Sequence, residues 1–245
     1  MTKFMFIVGA NSDIAKETVK YFAKDGFNFI FGVRDTKQLD DFVMDIQIKF
    51  RINCKVIEFD ITKYETHETI WESIKNEVTD VMVAAGYLPQ QKLAEKEWSI
   101  CFNTINVNFT GAISILNLVA NTFEERKKGC IIGISSVAGD RGRKDNYIYG
   151  SAKAGFTAYL SGLRNRLYKS NVHVITVKPG PVYTKMTSNL QLSNLFTVNP
   201  DKVAKDIYKA YKNKQDILYT PGYWYLIMGI FKLIPEFIYK KMSVK

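Results

Sequence analysis

The sequence predicts an α/β fold: one domain built on a doubly wound parallel sheet of about seven strands, with helices on both faces and a C-terminal amphipathic helical tail. Three observations point there. Short β-branched or apolar runs alternate regularly with amphipathic helical stretches along the chain, and strands alternating with helices join through right-handed crossovers into a parallel sheet covered on both sides. No internal repeat, low-complexity tract or Pro/Gly/Ser linker divides the 245 residues. The composition, 47% hydrophobic and 24% charged, is that of a globular chain with a sizeable core.

In order, the apolar runs place strands at 3–8, 28–33, 55–59, 80–84, 130–135 and 172–178, with a short one near 216–219. Helix-period stretches fall between them at 13–24, 36–50, 66–77, 95–125, 146–168 and 200–212. Residues 181–199 follow a strand without clean periodicity and read as a long loop or lid. Residues 1–221 then form the main unit and 222–245 an aromatic, then basic, tail.

Composition excludes several classes of function. Cys54, Cys101 and Cys130 are far apart, odd in number and contain no CxxC pair, so they build neither a disulfide framework nor a zinc ribbon. With only His67 and His173, no multi-histidine metal centre is expected either. The five apolar residues Phe4–Val8 are too short for a signal-peptide core, so a cytoplasmic protein is expected. The net charge of +10 suits a nucleic acid, an anionic membrane surface or phosphorylated substrates. The basic residues are spread along the chain without a nucleic-acid recognition motif, which argues against nucleic acid.

The first strand runs into Gly9-Ala10-Asn11-Ser12-Asp13-Ile14-Ala15. A strand, a glycine turn and a helix N-terminus together receive a dinucleotide pyrophosphate, because unpaired N–H groups and the helix dipole favour the anion. The spacing is that of G-x-x-x-G-x-G, with Asp13 and Ala15 in place of the later glycines. Ala15 keeps helix–strand packing close. The Asp13 carboxylate would repel pyrophosphate, so it is expected to turn away and cap the helix.

The second strand ends Val33-Arg34-Asp35. An arginine there accepts the 2′-phosphate of NADP(H), whereas a carboxylate binds the ribose hydroxyls of NAD(H). Arg34 favours NADP(H), and Asp35 leaves NAD(H) open. Asp60-Ile61, after strand three, is placed either to reach the adenine or to cap a helix.

The sharpest signal is Tyr149 and Lys153, four residues apart in a helical stretch and thirteen after Ser136. Side chains at this spacing share a helix face. An ammonium beside a phenol is expected to lower a pKa that is ordinarily about 10, so that the tyrosine can exchange a proton with a substrate oxygen near neutral pH. Ser136, at a strand C-terminus, could hold the same oxygen by hydrogen bond.

These pieces resemble the short-chain dehydrogenases/reductases from Gly9 to about Thr184. The glycine turn, Asp60, Ala84-Ala85-Gly86, Asn108, Ser136, Tyr149/Lys153 and Pro179-Gly180-Pro181-Val182-Tyr183-Thr184 occur in the family's order. The resemblance implies a Rossmann fold and hydride transfer between a nicotinamide and a carbonyl or secondary alcohol. It makes Tyr149 the general acid/base and Ser136 the residue that orients the carbonyl. Lys153 would lower the tyrosine pKa and bind the nicotinamide ribose. Asn108 would hold a relay water, and Ala84, Ala85 and Gly86 would lie along the cofactor. Val182 and Thr184, after Pro179 and Gly180, would bind the carboxamide. Gly9, Asn11, Ser12, Asp13, Ile14, Arg34, Asp60 and Ile61 complete the implied cofactor site. A homodimer or homotetramer is implied as well. Val83 departs from the usual asparagine. A scaffold without catalysis is disfavoured because Ser136, Tyr149 and Lys153 are all retained.

Two features bear on the substrate. The segment Asp140-Arg141-Gly142-Arg143-Lys144-Asp145 lies between the serine and the tyrosine. Arg141, Arg143 or Lys144 could read a substrate phosphate, or they could be solvated or paired with Asp140 or Asp145. The stretch from Ile207 to the end holds seven lysines and two acidic residues around an aromatic, apolar run of about nine residues. That run is too short to span a bilayer, which takes about 20 residues. It has the composition of a helix lying on an anionic membrane surface; packing on the protein's own sheet or across a subunit interface is the other reading. Together with the Ser12-Asp13-Ile14 turn, these features resemble a bacterial subgroup that includes a decaprenylphosphoryl-2-keto-erythro-pentose reductase. That resemblance implies a keto-sugar on a polyprenyl phosphate, used in cell-envelope synthesis. The alternative is a soluble reductase of a small ketone, acyl or steroid-like substrate.

Overall fold

The structure is a computed structural model that describes residues 3–191 and 193–242. Seven parallel strands form one sheet in the order β3-β2-β1-β4-β5-β6-β7. In chain order they are β1 (Phe4–Val8), β2 (Asn28–Val33), β3 (Cys54–Glu58), β4 (Asp80–Val83), β5 (Gly129–Ile134), β6 (Val172–Pro179) and β7 (Ile217–Thr220). Successive side chains of β1 point to opposite faces. Met5 and Ile7 enter a core with Val19, Phe22 and Ile207, while Phe6 and Val8 enter another with Trp71, Ile115 and Leu160. Burial on both faces explains why these strands read as continuous apolar runs.

The helices that cover the sheet are α1 (Asp13–Lys24), α2 (Asp40–Phe50), α3 (Tyr64–Ile74), α4 (Gln91–Lys96), α5 (Trp98–Ile105), α6 (Gly111–Arg126), α7 (Tyr147–Leu167) and α8 (Pro200–Lys212). Strand order reverses between β1 and β4, opening a crevice at their C-terminal ends where ligands of such sheets bind.

Three expected elements differ. The single helix at 95–125 is broken at Glu97, whose backbone is extended, and again by a π turn over Asn106–Thr110. The second break ends at a close approach: a Cβ on Gly111 would lie 2.1 Å from the Ile61 carbonyl oxygen. Residues 36–50 open as a 3-10 turn, Thr36–Leu39, because Asp35 accepts a hydrogen bond from the Lys37 amide. In the 181–199 segment a bridge between Val182 and Val198 closes the base of the loop.

The tail forms α9 (Tyr223–Leu233) and α10 (Glu236–Tyr239), parted at Ile234-Pro235; the residue before a proline avoids helical geometry. Residues 243–245 of the predicted tail lie outside the described ones. The inner face of α9 packs on the domain, with Trp224 and Met228 against Val137. The run Trp98–Arg126 is long and apolar enough to cross a membrane, but Ile115, Leu116, Val119 and Phe123 on it are buried in the core.

Candidate active site

Ser136 follows β5 and Tyr149 opens α7, and a close backbone approach brings them together. A Cβ on Gly139 would sit 2.7 Å from the Lys153 carbonyl carbon, so only glycine lets the 3-10 turn Val137–Gly139 touch α7. Ser135 ties the same elements, donating to the Lys153 carbonyl at 3.0 Å and pairing with Thr157 at 2.7 Å. The Ser136 hydroxyl accepts the Ala138 amide at 3.1 Å and faces the Tyr149 phenol.

The electrostatics of the pair differ from expectation. Lys153 is buried and donates to the Ile134 carbonyl at 2.9 Å, with its Nζ 5.8 Å from the centroid of the Tyr149 ring. Its amine therefore meets the ring face rather than the hydroxyl. Burial pushes the Tyr149 phenol up to about 12, opposed by hydrogen bonding with Ser136 and by the charge of Arg143. Burial likewise pushes the Lys153 amine down to about 7. Desolvation disfavours both phenolate and ammonium, so without ligand the lysine does not acidify the tyrosine. The phenol stays protonated at neutral pH.

Asn108 lies at the π turn, where such irregularities often mark functional sites. Its amide donates to the Tyr87 carbonyl at 2.6 Å and to the Thr104 carbonyl at 2.8 Å. A Cβ on Gly86 would lie 3.4 Å from Asn108 Oδ1 and 4.0 Å from Lys153 Nζ, so the strand-four turn, the asparagine and the lysine converge.

The nucleotide end is built on β1 and β2. Gly9 has φ +78°, and a Cβ there would meet the Ala85 amide nitrogen at 2.5 Å, so the turn requires glycine. No side chain caps α1, including that of Ser12, which leaves the first-turn N–H groups at Asp13 and Ile14 facing a prospective phosphate. Asp13 is not a cap, contrary to expectation: its carboxylate accepts the Lys185 amide at 2.7 Å and ties the turn to the 181–199 loop. Asn11 donates to Gln38, which donates to Asp35. Asp35 is thereby committed to the 3-10 turn, while Arg34 is exposed beside Asp60. Asp60 does not cap α3, whose N-cap is Lys63; it accepts the Thr62 amide and hydroxyl at 2.9 and 2.8 Å. Burial works to raise the Asp60 carboxyl, yet the Thr62 hydrogen bonds and the Arg34 and Lys63 charges hold it below its usual value. Ile61 is buried against α6. These features fit a nicotinamide dinucleotide.

At the other end, Pro179 closes β6 and Gly180 lies against the Trp224 indole. Thr184 shares its hydroxyl with Thr187 at 3.2 Å, and Thr187 also donates to the Val182 carbonyl at 2.6 Å. A cavity of about 720 Å³ is lined by Asp13, Tyr183, Thr184, Lys185, Ser188 and Leu190. Neither Tyr149 nor Lys153 lines it.

Of the three basic loop residues, Arg141 is spent on structure, contrary to expectation. It donates to the Phe231 and Ile234 carbonyls at 2.6 Å each, pairs with Glu236 at 2.9 Å and lies 3.9 Å over the Tyr239 ring. Lys144 is exposed, and Arg143 is half-buried. Sequence reasoning missed the Asp13–Lys185 tie, the Trp224–Gly180 contact and the Thr184–Thr187 capping box. Only the last left a local signal, its three-residue spacing.

The family model described as short chain dehydrogenase matches residues 3–194. The chain belongs to the short chain dehydrogenase family. As a member it is an NAD(P)-dependent oxidoreductase. It is similar to an uncharacterized oxidoreductase of Mycobacterium tuberculosis, 28% identical over 239 residues, covering 96% of this chain and 95% of that protein. Among solved structures it is similar to a short-chain dehydrogenase from Sphingobium yanoikuyae in complex with NADPH (TM-score 0.83, 19% identity, 96% and 97% of the two chains). It is also similar to a bulky-bulky ketone specific alcohol dehydrogenase from Comamonas testosteroni (TM-score 0.81, 20% identity, 96% and 95%). None of these three is described as a polyprenyl-linked sugar reductase.

Proposed function

We propose that the protein is an NADP(H)-dependent reductase of ketones, with Tyr149 as proton donor, working in the cytoplasm as a homo-oligomer. The observation that carries the reading is the convergence of the Gly86 turn, Asn108 and Lys153 beside Tyr149 and Ser136. Arg34, exposed and free of the 3-10 turn that occupies Asp35, supports the 2′-phosphorylated cofactor. NADPH in the Sphingobium relative agrees with that choice.

A bound nicotinamide dinucleotide would supply the hydride chemistry. The chain's own residues do the rest. Ser136 and Tyr149 hydrogen-bond the carbonyl oxygen, and the phenol passes it a proton as negative charge develops. Lys153, when protonated, would restore that proton, with Asn108 beside it placed to hold a relay water. The amides of Asp13 and Ile14 and the Arg34 guanidinium would hold the phosphates, Asp60 and Ile61 would lie toward the adenine, and Val182 and Thr184 toward the carboxamide.

Tyr149→Phe tests the reading. It should lower kcat for reduction of neutral ketones by about 10²–10⁴ while NADPH binding, followed by cofactor fluorescence, is retained. A variant as active as the parent would overturn it.

A second reading concerns where the substrate resides. The outward residues Leu226, Ile230, Leu233 and Phe237 of α9 and α10 are exposed beside Lys240 and Lys241. This supports a peripheral position on the inner face of the membrane and a lipid-borne keto-sugar such as one on a polyprenyl phosphate.

A further inference from the structure

Among the described residues, the arginines are of three kinds. Arg126, Arg141, Arg164 and Arg166 spend their guanidinium groups on carbonyl or carboxylate oxygens. Arg34 and Arg51 are exposed. Arg143 is neither: it is half-buried, its Nε is shut off from solvent without a hydrogen-bond partner, and it has no ion pair among the described residues. Its charge is felt most by Tyr239, then by Asp145 two residues on, and then by Tyr149. Asn146 Oδ1, three residues along the same segment, is also buried and unpaired.

The segment carrying Arg143 is not a loose loop. Asp140 is buried in a pair with Lys178 at 2.5 Å and accepts the Tyr219 hydroxyl at 2.7 Å. Arg141 is clamped by the carbonyls that follow α9, and Tyr239 donates to the Gly142 carbonyl at 2.8 Å. α7 begins at Tyr147. Arg143 is thus held between two anchored points, next to the phenol that donates the proton. A buried polar atom without a hydrogen-bond partner is uncommon in folded proteins, and the Arg143 Nε is one that an incoming acceptor would satisfy. Its planar fork matches a carboxylate or a phosphoryl group.

We propose that Arg143 is the anion-recognising residue of the substrate site, and that the substrate is a ketone, or the matching secondary alcohol, that also carries a carboxylate or phosphoryl group. The proposal rests on the reductase reading above and narrows its substrate class. No bond to the anionic group forms or breaks. Hydride goes to the carbonyl carbon, the Tyr149 proton to its oxygen, and the anion fixes the distance between that carbonyl and Ser136.

The test uses the full-length enzyme saturated with NADP⁺, titrated calorimetrically with acetoacetate and with inorganic phosphate, which separates the carboxylate from the phosphoryl source without requiring turnover. At least one probe should bind saturably, Arg143→Gln should weaken it tenfold or more, and Arg143→Lys should recover part of the loss. In parallel, kcat/KM for acetoacetate relative to its ethyl ester, and for dihydroxyacetone phosphate relative to dihydroxyacetone, should fall in Arg143→Gln through a rise in KM. The proposal is overturned if neither probe binds the parent, if the glutamine variant binds both as well, or if that variant weakens NADPH binding instead, which would assign Arg143 to the cofactor. Equal use of acid and ester by an enzyme that still needs Tyr149 would sink the anion site and leave the reductase standing. Loss of dependence on Tyr149 would sink the reductase while phosphate binding still reported on Arg143.

Discussion

At the residue scale, burial favours the neutral forms of both Tyr149 and Lys153. The Lys153 amine, near 7 in the free protein, is largely deprotonated at pH 8. A bound dinucleotide brings negative phosphates and ribose hydroxyl acceptors, both of which favour the ammonium. Cofactor binding at pH 8 should therefore take up a proton. The measurement is the dependence of calorimetric binding enthalpy on buffer ionisation enthalpy, with uptake of a fraction of a proton per site in the parent and none in Lys153→Met. Proton release would contradict the assignment. This coupling was invisible in the sequence: four-residue spacing places two side chains on one helix face, but it does not say that the amine meets the ring and hydrogen-bonds Ile134 instead of the phenol oxygen.

At the scale of elements, the segment after β5 behaves as a strap. Its anchor is the Asp140–Lys178 pair, with side chains only 3% and 6% exposed, joined by the Tyr219 hydroxyl and, at 3.4 Å, by Lys232 of α9. Burial lowers the Lys178 pKa while the Asp140 carboxylate, by hydrogen bond and charge, raises it. Removing one member of a buried pair leaves the other charge uncompensated, typically at a cost of about 3–5 kcal/mol. Asp140→Ala should show a loss of that order in denaturant unfolding, together with faster proteolysis of the tail that the strap holds. An effect within about 0.5 kcal/mol would mean that the pair is not an anchor. Charge patterning in the sequence marked this loop as important but left its arginines equivalent. The structure separates them, because Arg141 reaches the carbonyls at the end of α9, about 90 residues away in the chain.

At the scale of the whole molecule, the tail presents two faces. The inner one packs Trp224 and Met228 on Val137 near the C-terminal edge of the sheet. The outer one exposes Leu233 to 83% and, with Ile230, Ile234, Pro235, Ile238 and Met242, lines a shallow apolar groove. Lysines outnumber acids around it, so an anionic lipid surface complements it in both hydrophobicity and charge. Flotation with phosphatidylglycerol-containing vesicles should carry the protein upward, and neutral vesicles should do so less. Leu233→Glu combined with Phe237→Glu should abolish flotation without loss of ketone reductase activity in solution. Equal recovery of parent and variant would leave the outer face without a membrane role.

The alternation of strands and helices, the glycine turn and the ordered Ser136, Tyr149 and Lys153 were determined by the sequence alone, because local periodicity and spacing survive without knowledge of distant contacts. The same holds for the boundaries of most strands, whose double-sided burial writes itself as unbroken apolar runs. Only the tertiary structure decided which way Asp13 turns, which loop arginine stays unpaired, and whether the tail covers the protein or leaves it. Each of those outcomes depends on a partner remote in the chain: Lys185 for Asp13, the end of α9 for Arg141, Val137 for Trp224. Long-range pairing of polar groups is a matter of where the fold brings carbonyls and amides, and no spacing in the sequence encodes it.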